Sequence, residues 1–396
     1  MNLSLLEYKI KRIFGLLIFG EIFLMGSGQF LLISGGLTLK MFNYALMLTF
    51  AAYAVFCYRI IEKDTFLLTG WFTALLLLGT LLSVVNDGWN KLFTDLSPLF
   101  YFYTIIFFDL YFRTFSDIVF IERLLKISAI SLAGLYLIYI LLIAVGFFNF
   151  DLVYLFMEDS SDIMFRGKEG ALFYKGFIYL AIGLVFYISR AKMLSWQSLL
   201  LMAAIYFTHT RAFVIIVLCA CCCYILYWLY IRCYRVPLKY VIWSISLLLL
   251  VLLFSASWYE NFIGEDRQGG DLVRLETIKQ VVEQVTPVSF FIGHGFGIGV
   301  PIRPIHMEMS YMEIFHKQGI AGLVFWGYLL LRSCLLFFSS SLKQQMQGLP
   351  FLLSILVIYI QSLFNPFLNN PIGMGFVLIS YVVLKRIRKL DRGETL

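Results

Sequence analysis

Residues 125–149 read LKISAISLAGLYLIYILLIAVGFFN, and their one charge, Lys126, stands in the first turn. A helix crosses the hydrocarbon of a bilayer with about 20 mostly apolar residues, so this stretch is long and apolar enough to span. The pattern recurs outward in both directions. Twelve apolar runs separated by short charged links lie at roughly 13–35, 42–59, 66–86, 97–112, 125–149, 170–189, 194–209, 212–231, 240–257, 319–340, 349–366 and 371–384. The 396 residues are 61% hydrophobic and 14% charged, with a mean hydropathy of +0.86. A soluble domain is about 45–50% apolar and about 25% charged, so a soluble enzyme, a disordered chain and a nucleic-acid binder are excluded as leading readings. The expected fold is an all-α polytopic membrane protein of about twelve transmembrane helices, with residues 1–396 forming one integral membrane domain. The first run is too long for a signal-peptide core and no small-residue cleavage site follows it, so no cleavable leader is expected.

Charge orients the chain. An even number of spans puts both termini on one side. The links on that side hold 20 of the 31 basic residues, from Lys9, Lys11 and Arg12 through Arg113, Arg123 and Lys126 to Lys385, Arg386, Arg388, Lys389 and Arg392. Cytoplasmic links carry the excess of Lys and Arg, which places both termini in the cytoplasm. The net charge of +7 is then a topological signal and not a nucleic-acid footprint. Two loops stand on the far side, 150–169 and the larger 258–318. All four histidines, His209, His294, His306 and His316, fall on or near that face. The seven cysteines sit in spans or toward the cytoplasm, so no disulfide is expected on the oxidising side.

Charges inside a membrane are costly and have partners or tasks. Glu21 lies within the first run with no assignable partner, and Asp109, near the cytoplasmic end of the fourth, is expected to reach water. A proton-coupled transporter would use both. Lys175 comes early in the sixth run, and Arg211 opens the eighth after the short turn Thr208-His209-Thr210. That turn holds a guanidinium at the outer boundary, where its fork matches phosphate oxygens.

The large loop has structure of its own. Residues 271–285, DLVRLETIKQVVEQV, have helical period, with Leu275, Ile278, Val282 and Val285 as one apolar stripe and Arg274 beside it. Arg274 either enters a pocket or pairs with Asp271 or Glu276. Residues 293–299, GHGFGIG, read as a tight re-entrant turn, since no strand-to-helix setting or Walker lysine supports a nucleotide loop. Pro304 suits a helix start, and a helix from there is expected to run through Gly319 and Gly322 into the tenth span. His306 and Glu308 would then point about 200° apart. If His306 precedes the helix, both can face one pocket with Arg303. Either is a candidate general base. Met309, Met312 and Phe315 are expected to pack.

The segments THTRAF (208–213), DLVRLETIKQ (271–280), GHGFG (293–297) and HMEMSYMEIFHKQGIAG (306–322), in a chain of many spans, resemble the polymerase and ligase superfamily of bacterial surface polysaccharides, the Wzy-type O-antigen polymerases and their ligase relatives. The resemblance implies a glycosyltransferase of the bacterial inner membrane, its site facing the periplasm, that joins undecaprenyl-diphosphate-linked repeat units and releases undecaprenyl diphosphate. By the same resemblance Arg211 and Arg274 hold the donor diphosphate, with Arg303, Arg166 of FRGKEG (165–170) and Lys175 as further candidates. The family's histidine aligns with Glu308, and His306 lies two residues earlier; the alignment favours Glu308 as base and both stay in view. His294, Gly293, Gly295 and Tyr311 are assigned to loop shape or glycan contact. The implied partners are the lipid-linked oligosaccharide, the bilayer and a chain-length regulator of the same pathway, with no nucleic acid, cofactor or metal. The rivals are an O-antigen ligase acting on lipid A core and, of another class, a lipid-linked oligosaccharide flippase.

Overall fold

A computed structural model describes residues 5–26, 32–34, 37–58, 61–157, 163–165, 172–190, 195–210, eleven positions between 212 and 227, and 268–393. In chain order these form α1 (Leu5–Leu24), the strands β1 (Leu32–Ser34) and β2 (Leu37–Thr38), α2 (Leu39–Tyr58), α3 (Lys63–Val85), α4 (Leu92–Leu99), α5 (Thr104–Tyr111), α6 (Phe115–Ala144), α7 (Phe150–Met157), β3 (Ile163–Phe165), β4 (Leu172–Tyr174), α8 (Ile178–Ser189) and α9 (Trp196–Phe207). After residue 267 come α10 (Gln268–Glu283), α11 (Pro287–Ile292), α12 (Ser310–Phe338), α13 (Leu342–Gln361) and α14 (Pro371–Asp391). The two strand pairs are short antiparallel hairpins, and the rest is helical. Among the described residues four helical stretches are long and apolar enough to cross a membrane: Leu39–Cys57, Lys63–Val85, Phe115–Ala144 and Ser310–Phe338. Only 22% of the apolar window of α6 is buried, and Leu135, Ile138 and Leu141 stand exposed along it. Apolar surface of that extent belongs against lipid.

Two of the expected runs look different in three dimensions. The run at 97–112 is broken: α4 contains Pro98 and ends at Leu99, a 3-10 turn covers Phe100–Tyr103, and α5 follows. Proline removes a helical hydrogen bond and clashes with the preceding turn. The run at 170–189 opens as strand β4 and a 3-10 turn, so Lys175 stands in the turn that leads into the twelve-residue helix α8.

The chain divides into two compact units, Met1–Ala54 with Leu110–Val217, and Val55–Asp109 with Leu218–Leu396. In the first, Asp117 caps the start of α6 by accepting the Thr114 N–H at 3.0 Å and pairs with Lys11 at 2.7 Å. Phe19 meets Tyr111 at 5.0 Å and Phe23 meets Tyr179 at 5.4 Å. Every residue of α8 is buried, as expected of a helix that is apolar all round. Glu21 has a partner after all: Lys40 Nζ lies 3.7 Å from its Oε1.

In the second unit Phe72 stacks on Phe102 at 4.1 Å, and Phe325 and Trp326 of α12 close around them. Lipid is as apolar as phenylalanine, so close packing and ion pairs select this arrangement more than the hydrophobic effect does. The expectation that Asp109 reaches water is overturned. Asp109 is buried, 2.5 Å from Lys385 Nζ, and accepts the Thr65 hydroxyl at 2.7 Å. Lys385 also pairs with Glu62 at 2.9 Å, and Lys389 reaches the same carboxylate at 2.7 Å. Burial alone would raise Glu62, but the two ammonium groups outweigh it and hold its carboxyl below the ordinary value of 4.5.

Candidate functional site

The site lies in the second unit, where the GHGFGIG turn, the segment after it and the first half of α12 meet α3, α4 and α10. The turn begins where α11 ends. Thr286 caps α11 by accepting the Ser289 N–H at 3.1 Å, and Pro287 occupies its first position. Gly293 follows with φ +77°, and a Cβ there would lie 2.3 Å from the Lys317 carbonyl carbon. Gly295, at φ +96°, packs against the backbone of α3 around Ser83. Gly297, at φ +75°, approaches Gly88 so closely that a Cβ would sit 2.1 Å from its carbonyl oxygen. Only glycine tolerates this combination.

Five of the turn's backbone donors are spoken for. The Gly293, His294, Gly295 and Phe296 N–H groups donate to the carbonyls of Ser289, His316, Lys317 and Gly79, and the Gly297 N–H donates to Asp95 Oδ2 at 2.6 Å. A phosphate cradle needs free N–H groups; these five close the turn on itself and on the helices beneath. His294 braces the same junction. Its ring stacks on His316 at 4.5 Å, and its nitrogens lie 3.1 Å from the His316 carbonyl and 3.0 Å from the Gln284 carbonyl.

Helix α12 starts at Ser310 and not near Pro304. Residues 300–303 instead form a tight turn, with Val300 and Arg303 exchanging backbone hydrogen bonds, and Ile302 N–H donates to Gln280 Oε1 at 3.0 Å on α10. His306 and Glu308 therefore both precede the helix, yet they serve different neighbours. Glu308 bridges two arginines: Arg274 Nε donates to Oε2 at 3.0 Å, and Arg303 Nη2 reaches Oε1 at 2.5 Å. Arg274 also holds Asp271 at 3.0 Å. All three bridging side chains are about one-third exposed.

His306 turns inward instead. Its Nδ1 lies 3.4 Å from Glu313 Oε1 and 3.4 Å from Asp95 Oδ1, and its side chain is 50% exposed. Both carboxylates are buried. Lys317, one helical turn after Glu313, pairs with Glu313 Oε1, lies 2.8 Å from Asp95 Oδ1 and donates to the Ile305 carbonyl at 2.8 Å. The second Glu313 oxygen accepts from Asn369 at 2.6 Å, and Asn369 in turn accepts the Ser310 hydroxyl at 2.9 Å. Asp95, His306 and Glu313 present atoms within 4.8 Å of one another that would suit a cation. The ammonium of Lys317 already stands between the two carboxylates.

The expected apolar stripe on α10 is not its packed face. Leu275 and Val282 are exposed, whereas Thr277 and Val281 are buried, and Val281 packs with Val300 and Met307. Helical period alone cannot distinguish a stripe that meets protein from one that meets another apolar phase. Met312 and Phe315 pack against the same cluster, and Met309 is buried. The Tyr311 hydroxyl donates to the Tyr359 carbonyl at 2.7 Å. Lys175 lies in the first unit, in the turn before α8. Arg166 and Arg211 lie outside the described residues.

No family model matches the chain. An O-antigen polymerase from Shigella flexneri is 28% identical to it over 303 residues, 74% of this chain and 73% of the relative. The chain is thus similar to an O-antigen polymerase over about three quarters of each sequence. The resemblance to the Wzy-type polymerases, read from the span pattern and from about residues 210–325, is borne out by that relative, and the apolar helices agree with a multi-pass membrane protein.

Sequence reading missed Asp95, Glu313 and Lys317. The last two carried a legible signal, since Glu and Lys four apart on a helix face one another and both are costly near a membrane. Asp95 carried none, because it stands 202 residues from the Gly297 amide that it receives.

Proposed function

We propose that this protein polymerises lipid-linked repeat units into O-antigen or a related surface polysaccharide, at the periplasmic face of the bacterial inner membrane. The growing glycan on undecaprenyl diphosphate is the donor. A hydroxyl of the next lipid-linked unit attacks its anomeric carbon. The new glycosidic C–O bond forms as the bond from that carbon to the diphosphate oxygen breaks, and undecaprenyl diphosphate leaves with the electron pair. The homologous polymerase supports the reaction class, and the basic links support the periplasmic orientation.

His306 is the base in this proposal. The observation that carries it is the half-exposed imidazole whose Nδ1 faces two buried carboxylates. A carboxylate behind Nδ1 selects the Nδ1–H tautomer and leaves the Nε2 lone pair to accept the hydroxyl proton. Glu308, the residue favoured by alignment, has both oxygens committed to guanidinium groups. Arg274 and Arg303 instead offset the charge that builds on the departing diphosphate, where fixed cations contribute most. Arg211, Arg166 and Lys175 keep the diphosphate role assigned from the sequence. The reaction runs without a metal ion, since arginines supply the positive charge at the diphosphate and Lys317 already stands between the buried carboxylates.

The test is the surface-polysaccharide ladder of a deletion strain complemented with His306→Ala, read together with the lipid-linked pool. Loss of the ladder with one repeat unit still attached to the core supports the polymerase and its base. Loss of all attached glycan, with long lipid-linked polymer accumulating, makes the protein a ligase. Short lipid-linked units trapped on the cytoplasmic face make it a transporter. A normal ladder removes His306 from the mechanism.

A further inference from the structure

Asp95 belongs to no part of the site that the sequence pointed to, and its two oxygens serve different neighbours. It stands on α4 with its side chain 1% exposed. Its Oδ2 accepts the Gly297 N–H at 2.6 Å, which ties α4 to the glycine turn. Its Oδ1 is buried. That oxygen faces two cationic or potentially cationic groups, Lys317 Nζ at 2.8 Å and His306 Nδ1 at 3.4 Å.

Burying two carboxylates beside one ammonium is costly unless a further cation or donor joins them. The neighbouring carboxylate shares the same ammonium and faces the same imidazole, with His306 Nδ1 3.4 Å from Glu313 Oε1. Glu313 is held further by Asn369 on Oε2, whereas Asp95 is held by the Gly297 N–H on Oδ2. Asp95 Oδ1 lies at the same 3.4 Å from Nδ1, with Lys317 as its cationic partner. The charges tell the same story. Asp95 and Glu313 carry two negative charges and Lys317 one positive, so the pocket behind the imidazole holds a surplus negative charge while His306 is neutral. It balances when His306 becomes an imidazolium.

We propose that Asp95, beside Glu313, is a positioning residue of the proton-transfer step: its Oδ1 shares the Nδ1–H of His306 with Glu313 Oε1, holds the ring in the tautomer that offers Nε2 to the acceptor hydroxyl, and shortens onto that N–H as the ring takes up the proton. Lys317 is the fixed internal cation of the arrangement. It holds both carboxylates and, through the Ile305 carbonyl, the backbone immediately before His306. The inference rests on the reading of His306 as base. Asp95 touches no reacting atom, and the proton that leaves the acceptor hydroxyl resides on His306 Nε2 until it is released to water.

The test is a double-mutant cycle on initial rates of polymerisation, with purified full-length protein in nanodiscs and a defined lipid-linked repeat unit. Asp95→Asn keeps an oxygen for the Gly297 N–H and removes the charge behind Nδ1. It is expected to lower kcat by about 10- to 10³-fold with KM little changed, because a wrongly set tautomer disables the base without disturbing binding. Asp95→Glu should recover part of that loss. In a His306→Ala background, Asp95→Asn should have no further effect, since a residue that acts through another is silent once the other is gone. Losses that multiply in the double variant, or an Asp95→Asn protein of normal rate, overturn the inference and leave the His306 assignment standing. A fully active His306→Ala protein overturns the assignment itself. A measurement on the wild-type chain guards against an unfolded variant: ¹⁵N spectra of labelled histidine should place the His306 proton on Nδ1, and a proton found on Nε2 overturns the inference.

Discussion

Glu308 and His306 make opposite predictions for one substitution, Glu308→Gln. In the structure the carboxylate bridges Arg274 and Arg303, the two guanidinium groups assigned to the donor diphosphate. An incoming diphosphate must displace or share that carboxylate. The side chains involved are 35–36% exposed, so water screens each pair, and a screened pair of this kind is worth about 0.2–1 kcal/mol. Two pairs together give about 0.4–2 kcal/mol, or about 2- to 30-fold at 1.4 kcal/mol per decade. Glu308→Gln should therefore tighten the donor, lowering its KM by about 2- to 30-fold, while kcat stays within a few-fold of wild type. Loss of a general base costs about 10²–10⁴ in rate. The assay is initial-rate polymerisation over a donor concentration series, with kcat and KM resolved. A kcat reduced a hundredfold or more at unchanged KM would refute the assignment and make Glu308 the base.

Further outcomes follow from particular contacts. Lys385→Met strands the buried Asp109 carboxylate and should lower stability by about 3–5 kcal/mol, whereas the double variant with Asp109→Asn should recover most of it; thermal unfolding in detergent checks this, and a near-wild-type single variant would mean that water reaches the pair. Gly319 breaks α12 at φ +62°, where a Cβ would lie 2.4 Å from the Phe291 carbonyl carbon; Gly319→Ala should cost about 1–3 kcal/mol, while Gly70→Ala, with nothing within 4 Å, should cost nothing in the same melts. Glu62 is held below its ordinary 4.5 by Lys385 and Lys389 despite burial. Its contribution to stability is therefore complete above that ordinary value and is lost as pH falls through the lowered one, so Glu62→Gln should flatten the acid limb of a stability–pH curve. Polymerisation should survive a chelator, and activity lost to chelation and restored by a divalent ion would remove Lys317 from its role as the internal cation.

The amino-acid sequence by itself determined the class of this protein. Runs such as 125–149 are too long and too apolar for a soluble core, and their helical state follows because a backbone in lipid has to satisfy its own hydrogen bonds. The glycines of 293–299 announced a turn, and the segment 306–322 announced the polymerase resemblance, because both signals are local. Where a run carried its own breaker the reading went astray: Pro98 divides the fourth run, and Gly319 interrupts α12.

Tertiary structure decided which charges meet. His306 and Glu308 are two residues apart, and nothing in their spacing sends one to Asp95 and Glu313 and the other to Arg274 and Arg303. The choice is made by the tight turn at Val300–Arg303 docked on α10 and by the late start of α12 at Ser310. Asp109 finds Lys385 and Asp95 finds Gly297 across more than two hundred residues. Ion pairing in a low-dielectric interior depends on distance in space. Periodicity reports which residues share a face of one helix, and only packing brings the faces of different helices together.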